Sequence, residues 1–243
     1  VQADNQLDDN TCRSIDTVIS RESNVTRSAR VMQVESFFDM RGSEHSRVQI
    51  GVKMPLAERE WGVGLIVGPS GCGKTTIARE LFSENYVKSY DWSENRSILD
   101  DFDKSLGIKD IISALTSVGF STQPNWVRPY SVLSSGEQFR VTCARAMSEK
   151  RGFVVIDEFT SVVDRQVAKV ISHVLQKKVR REKTRLIAVT CHYDVIDWLQ
   201  PDWIYEPHAN SFAWRQPEPH PPFDLRYMLA RGLRGACLRV ITI

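Results

Sequence analysis

The chain has 243 residues, a formal net charge of +2, 42% hydrophobic and 26% charged residues, an ordinary balance for a globular protein with one large or two small cores. That charge is too small to argue for nucleic acid by itself, no apolar run approaches the length of a membrane span, and no signal-peptide pattern opens the chain. The five cysteines (Cys12, Cys72, Cys143, Cys191 and Cys237) are scattered without metal-ligand spacing, so a reducing, cytoplasmic setting is the simplest account. The chain begins at Val1 and not Met, as a fragment would.

Residues 1–28 are polar, rich in Asp, Asn, Ser and Arg, and show no sustained period, so they read as a loose leader. From Arg30 the pattern changes. Val31, Gln33 and Glu35 alternate with Met32, Val34 and Ser36 ahead of Phe37 and Phe38, which predicts a strand. A turn-rich break over 41–46 leads to Val48, Ile50, Val52 and Met54, a second half-buried strand ending at Pro55. The expectation is an antiparallel β-element ahead of a short apolar strand at 63–67.

Residues 68–75 read G-x-x-x-x-G-K-T, between that strand and a helical pattern carried by Ile77, Ala78 and Leu81. This is the strand–loop–helix setting of a phosphate-binding P-loop. Glycines let backbone N–H groups approach phosphate oxygens, and the helix start adds unpaired donors and a positive dipole end. Gly68, Pro69, Ser70, Gly71, Cys72, Gly73, Lys74, Thr75 and Thr76 are therefore candidate nucleotide-binding residues. Lys74 suits the β- and γ-phosphates, and the Thr75 hydroxyl suits Mg²⁺. A disulfide at Cys72 would obstruct that ligand.

Beyond the loop, 86–90 is a short strand candidate, and Ile98, Leu99, Phe102 and Leu106 fall on one helical face that Gly107 breaks. Ile108, Ile111, Ile112, Leu115 and Val118 predict a second amphipathic helix stopped by Gly119. Residues 121–129, with their prolines, form a loop, and a third helix covers 134–149. The continuous apolar runs at 153–156 and 185–190 have the look of buried parallel strands, with a helix at 167–175 between them. Strands alternating with helices around a P-loop predict an α/β fold, a P-loop NTPase with a mostly parallel, doubly wound sheet. Residues 202–205 and 211–214 can pair as a hairpin; Pro217, Pro219, Pro221 and Pro222 then mark a linker-like break, and 223–243 carry no clear fold signal.

Further motifs sit at telling places. Leu133-Ser134-Ser135-Gly136-Glu137 opens the third helix, the 153–156 strand runs into Asp157 and Glu158, Ser161-Val162-Val163-Asp164 follows, and His192 lies just past the 185–190 strand. An apolar strand ending in Asp157 puts a carboxylate at the carboxyl edge of a sheet, where it can hold Mg²⁺ or its water. Ser134-x-x-Glu137 is also a capping box for the helix it starts.

In this order the motifs resemble those of ABC-type ATPases: Walker A at 68–76, signature at 133–137, Walker B at 153–158, D-loop at 161–164 and a switch histidine at 192. The resemblance covers about residues 30–206. It implies an ABC ATPase head over 29–206, with an antiparallel β-element and a small helical subdomain at about 92–133, flanked by the 1–28 leader and a 207–243 tail. It also implies ATP and Mg²⁺ as ligands, Thr75 and Asp157 as metal-binding residues, Glu158 as general base and His192 beside the γ-phosphate. The same resemblance implies a head-to-tail homodimer in which Ser134, Ser135, Gly136 and Glu137 contact the ATP held by a second copy and Asp164 serves the D-loop. ABC ATPases often stack adenine on an aromatic of the upstream β-element, which nominates Phe37 or its neighbour Phe38.

Departures qualify the resemblance. Ser135 stands where glycine is usual, and Glu137 stands where transporters usually carry glutamine, as in the SMC and UvrA branches that act on DNA. Trp92, Ser93 or Glu94 occupies the place of the Q-loop glutamine, and Gln123 lies late, in the Pro-containing loop. The segments at 132–140, 156–164 and 191–203 are similar to a narrower group, soluble bacterial and phage ABC ATPases fused to a predicted GNAT-like acetyltransferase. No acetyl-CoA loop appears, so acetyltransferase activity is not assigned to this chain, and the tail reads either as native or as truncated or frameshifted. The basic run of Lys177, Lys178, Arg180, Arg181, Lys183 and Arg185 is a candidate DNA or RNA contact, although such runs are commonly solvated helix faces. The expected function is ATP hydrolysis; the alternatives are a transporter's nucleotide-binding subunit and an ATP-gated module of an acetyltransferase domain or partner.

Overall fold

The protein is described by a computed structural model over residues 13–24, 26–39, 45–149 and 152–215. Two antiparallel strands, β1 (Ile15–Asn24) and β2 (His45–Met54), pair with Ile15 opposite Met54, and helix α1 (Ala29–Phe37) lies between them in the chain. The main sheet holds β3 (Val63–Val67), β4 (Tyr86–Val87), β5 (Phe153–Ile156), β6 (Arg185–Thr190), β7 (Trp203–Glu206) and β8 (Ser211–Trp214). Its order is β4-β5-β6-β3-β7-β8; the five strands β4, β5, β6, β3 and β7 run parallel and β8 is antiparallel to β7. The helices are α2 (Lys74–Leu81), α3 (Ile108–Ser117), α4 (Gln123–Trp126), α5 (Ser135–Glu149), α6 (Arg165–Glu182) and α7 (Val195–Leu199).

The central strands are buried on both faces, so they read as unbroken apolar runs. Their alternate residues serve two cores. Leu65, Val67, Val154, Ile156, Leu186 and Ala188 face one cluster with α3, α5 and α6. Ile66, Phe153, Val155, Ile187 and Val189 face the other, built with Ile19, Val52, Met54 and α2 residues Ile77 and Ala78. Asp202 closes the base: its Oδ2 accepts from the N–H groups of Gly62 and Val63 at 2.8 Å each, and Arg180 pairs with its Oδ1 at 3.0 Å.

The N-terminal region departs from the sequence-based expectation. The expected strand at 31–38 is the helix α1, and part of the expected leader is the strand β1. Alternation marks a strand only when one face is buried, and α1 buries no residue. Local chemistry decides instead: Ser28 caps the helix, its Oγ accepting from Val31 N at 3.4 Å, and Arg27 pairs with Glu35 at 2.7 Å. Among the described side chains of β1 only Ile19 is buried while Val18 is exposed, too faint an apolar pattern to stand out from a polar segment. The antiparallel element therefore exists, but it is made from 15–24 with 45–54.

Smaller differences concern the insert. The helix expected around 98–106 is a 3-10 turn, Ile98–Asp101, capped by Ser97, with Ile98 and Phe102 both buried. The strand expected at 86–90 stops at Val87, and the loop at 121–129 contains the short helix α4. The expected linker prolines and the 223–243 tail lie outside the described residues.

Gly64 is a packing requirement, because a Cβ there would stand 2.1 Å from the Trp203 ring. Gly64→Ala should lower stability by about 1–3 kcal/mol through overpacking. Urea unfolding followed by far-UV circular dichroism checks this; an unchanged midpoint would contradict the packing.

Candidate functional site

Parallel pairing brings the functional segments to one edge. Val67, the last residue of β3, pairs with Thr190, and Ile156, the last of β5, pairs with Ala188. The loop after β3, the Asp157–Glu158 pair after β5 and His192 after β6 therefore leave the sheet at nearly the same level, outside its carboxyl edge.

The 68–73 loop depends on two left-handed glycines, Gly71 at φ 82° and Gly73 at φ 92°. A Cβ on Gly73 would stand 2.6 Å from Ile50 Cδ1, so β2 presses directly on the loop. Lys74 arches back over it, donating from Nζ to the carbonyls of Gly68 at 2.9 Å and Pro69 at 2.7 Å. Its ammonium stands at the mouth of the loop, with Cys72 Sγ at 3.9 Å. Thr75 and Thr76 occupy the first turn of α2, whose free N–H groups and dipole favour an anion.

At the end of β5, Asp157 is 4% exposed, so an ionised carboxylate there needs donors. It has two: Glu158 N donates to Oδ1 at 2.9 Å and Tyr86 Oη donates to Oδ2 at 2.6 Å. Burial, and then the bond to Asp157, push the Tyr86 phenol well above its ordinary pKa, so it remains a donor. Glu158 follows in the left-handed region at φ 52°, with its side chain exposed, and Thr160 is left-handed too at φ 62°. Such backbone costs on the order of 1–3 kcal/mol per residue and persists where neighbours enforce it. Here Phe159 N donates to Val189 O at 2.8 Å, and the buried Phe159 ring meets Phe139 of α5 edge-on at 5.5 Å.

His192 is half-buried, its N–H donating to Thr190 Oγ1 at 3.2 Å. Asp164 caps α6, accepting from Gln166 N and Val167 N at 2.9 Å each. The next residue, Arg165, makes a two-pronged pair with Asp194, joining the start of α6 to the His192 loop.

The capping box at the start of α5 is present: Glu137 Oε2 accepts from Ser134 N at 3.0 Å and from Ser134 Oγ at 2.8 Å, and Glu137 N donates to Ser134 Oγ at 3.4 Å. Asn125 of α4 donates to Glu137 Oε1 at 2.6 Å. Partial burial works to raise the Glu137 pKa, but the Ser134 and Asn125 hydrogen bonds and the Arg140 charge outweigh it and hold the carboxyl below its usual range. Gly136 is where α5 meets α6, since a Cβ would stand 3.2 Å from Val167 Cγ1. Ser134 and Ser135 are exposed. Among the described residues no hydrogen bond or ion pair links 134–137 to the 68–76 loop.

Other expected residues stand apart. Phe37 is 84% exposed at the end of α1, not on the antiparallel strand pair as expected; the β2 side chain that packs against Gly73 is Ile50. Trp92 stacks on Tyr130 at 4.4 Å, Ser93 N and Oγ bond Asp101 at 2.8 and 2.6 Å, Glu94 is exposed, and Gln123 begins α4 on the surface. Much of the basic run is committed internally: Lys178 and Arg181 to Glu182, Arg180 to Asp202, and Arg185 over the Trp61 ring. Tyr86 was not legible in advance, because its partner lies 71 residues away in the chain.

Among the described residues, no group of three or more His, Cys, Asp or Glu side chains could hold a metal alone. Mg²⁺ that shares its shell with phosphate oxygens and water needs only one or two protein oxygens. The Thr75 hydroxyl and the Asp157 carboxylate are hard donors of that kind.

A P-loop after the central strand of a parallel sheet, with acidic residues at the end of a strand at the same edge, defines a P-loop NTPase. The chain belongs to the ATPase family associated with various cellular activities (AAA), whose family model matches residues 64–201, more than half of the chain. Its fold is that of an ABC cassette. It is similar to the dimeric structure of a bacterial ABC transporter cassette (TM-score 0.52, 16% identity, 66% of this chain and 88% of that one). It also resembles a post-hydrolysis dimer of an ATP-binding cassette bound to ADP and Pi (TM-score 0.55, 15% identity, 70% of this chain and 93% of that one). In sequence it is 27% identical over 122 residues to the cytochrome c biogenesis ATP-binding export protein CcmA of Vibrio parahaemolyticus, covering 50% of this chain and 54% of that protein. It is 26% identical over 183 residues to ABC multidrug transporter E of Aspergillus fumigatus, covering 57% of this chain and 14% of the transporter. The chain thus spans about half the length of one curated relative and a small part of the other. No helix among the described residues is long and apolar enough to cross a membrane.

Glu137→Ala should cost about 0.3–1.5 kcal/mol, the usual worth of a helix-terminus capping device. Because its folded pKa is lowered, the carboxylate stabilises fully above its ordinary pKa and ceases to as pH falls through the lower folded value. Glu137→Gln should therefore flatten the acid limb of a stability-against-pH profile measured by urea unfolding. An unaltered acid limb would contradict the assignment.

Proposed function

We propose that the chain binds ATP with Mg²⁺ and hydrolyses it, two copies closing head to tail around two nucleotides. The observation that carries this reading is the turn after β5, where the buried carboxylate of Asp157, held by two hydrogen bonds, adjoins the exposed carboxylate of Glu158 at the same sheet edge as the 68–76 loop. Loop N–H groups and the start of α2 receive the phosphates, with Lys74 turning from its carbonyl partners to their charge. When bound, Mg²⁺ neutralises phosphate charge, with Thr75 and Asp157 as its protein oxygens. Glu158 accepts a proton from the attacking water, and His192 donates toward the γ-phosphate from its place past β6.

The exposed Ser134 and Ser135 at a capped helix start, without a hydrogen bond to the chain's own loop among the described residues, support a signature that serves the partner copy. The likeness to dimeric ABC cassettes supports the same arrangement. A second reading, the ATP-binding subunit of a membrane transporter, is favoured by the transport proteins among the relatives. The nucleic-acid reading draws no support from the basic run, whose internal pairs occupy much of its charge. An acetyltransferase partner would follow from the resemblance to the fused group alone.

Glu158→Gln should lower ATP turnover by about 10²–10⁴-fold, the usual contribution of a general base, and retain ATP binding. Phosphate release and titration with a fluorescent ATP analogue check this; undiminished turnover would contradict the role. Lys74→Ala should lose ATP binding. Ser134→Arg should bind ATP and yet stay monomeric in sedimentation with ATP; dimerisation by Ser134→Arg would contradict the shared site.

A further inference from the structure

We infer that Tyr86 is a positioning residue for the metal-binding carboxylate: its phenol holds Asp157 in the orientation that receives the nucleotide's Mg²⁺. This rests on the reading of Asp157 as a metal-binding residue.

The strand that carries Tyr86 has only two residues and lies at the edge of the sheet. It is bonded to β5 by side chains as well as backbone. Asn85 Nδ2 donates to Phe153 O at 3.0 Å, and Val155 N donates to Asn85 O at 2.9 Å. One step along, Asp157 N donates to Val87 O at 2.9 Å, and between these contacts Tyr86 Oη donates to Asp157 Oδ2 at 2.6 Å. Residues 85–87 thus form a bracket along β5 whose side-chain arm ends on the carboxylate.

Glu158 N takes one lone pair of Oδ1 and Tyr86 takes one of Oδ2, which fixes the carboxylate plane from both sides. Each oxygen keeps its other lone pair for the metal or its water. Among the described residues Oδ2 has no other donor, so without the phenol only the Glu158 N–H on Oδ1 restrains the carboxylate. The 68–76 loop makes no hydrogen bond to Tyr86, so nucleotide binding without metal should not depend on it. Outer-sphere partners of this kind commonly contribute 10–100-fold in metal affinity.

The test uses the full chain with Glu158→Gln, which suppresses turnover, and Mn²⁺ as a spectroscopic substitute. Mn²⁺ binding in the presence of ATP is read by electron paramagnetic resonance, and ATP binding in EDTA by fluorescence titration. Adding Tyr86→Phe, which keeps the ring, should raise the Mn²⁺ concentration for half-saturation about tenfold. ATP affinity in EDTA should stay unchanged, while the thermal midpoint falls modestly because the buried Asp157 carboxylate loses a donor. If Tyr86→Phe leaves half-saturation within about twofold while Asp157→Asn shifts it strongly, Tyr86 is not a positioning residue and the Asp157 reading stands. A Tyr86→Phe variant that weakens metal-free ATP binding equally would also overturn the inference, leaving only a structural role. If Asp157→Asn changes nothing, the metal-binding reading fails and the inference with it.

Discussion

Parallel pairing of β3 with β6, and of β6 with β5, is the constraint on which the rest depends. It is made by backbone hydrogen bonds and held by apolar residues on both faces. Its consequence is polar: three strand ends open at one edge, and each delivers a different group there. β3 supplies backbone N–H groups and Lys74, β5 supplies Asp157 and Glu158, and β6 leads to His192. None of these is close to the others in the chain. Their proximity is a property of the register, and a loss of packing at Leu65 or Ile187 would reach the site through the sheet.

The same edge concentrates unfavourable features. A nearly buried carboxylate, two left-handed non-glycine residues and a loop that tolerates no Cβ at Gly73 all lie there. Each is compensated by specific neighbours. Tyr86 and Glu158 N satisfy Asp157; Val189 O anchors the turn through Phe159 N; Phe159 seats that turn on α5. The last contact matters for coupling, because α5 begins at the signature. One aromatic pair therefore joins the turn that carries Asp157 and Glu158 to the helix whose start carries the exposed Ser134 and Ser135. Arg165 and Asp194 make a second such link, between the start of α6 and the His192 loop.

The sheet and the residues at its edge were largely legible in the sequence. Residues 63–67, 153–156 and 185–190 are buried on both sides, so their apolar runs could hardly be anything else. The glycines at 71 and 73 were legible because the loop's chemistry demands them. The N-terminal region was not: α1 buries nothing, so its alternation of Val31, Gln33 and Glu35 carried no information about a face, and Ser28 set the helix by local capping. Tyr86 escaped for a different reason. Nothing in its neighbourhood marks it, and only the pairing of β4 with β5 brings it to Asp157. The capping box at Ser134 and Glu137 was legible as a local pattern and is present in the chain; a role of the same residues toward a second copy belongs to the proposal.

That division sets the central claim, that a whole catalytic site is assembled from two copies. In the proposed arrangement Lys74 and Glu158 belong to one half, Ser134 to Glu137 to the other. Mixing Lys74→Ala chains with Ser134→Arg chains tests it directly. In a mixed dimer, the intact loop of the Ser134→Arg chain faces the intact signature of the Lys74→Ala chain. Each variant alone should be inactive, and the mixture should recover ATP turnover. A mixture as inactive as its components, or a Ser134→Arg chain that turns over ATP by itself, would contradict a shared site.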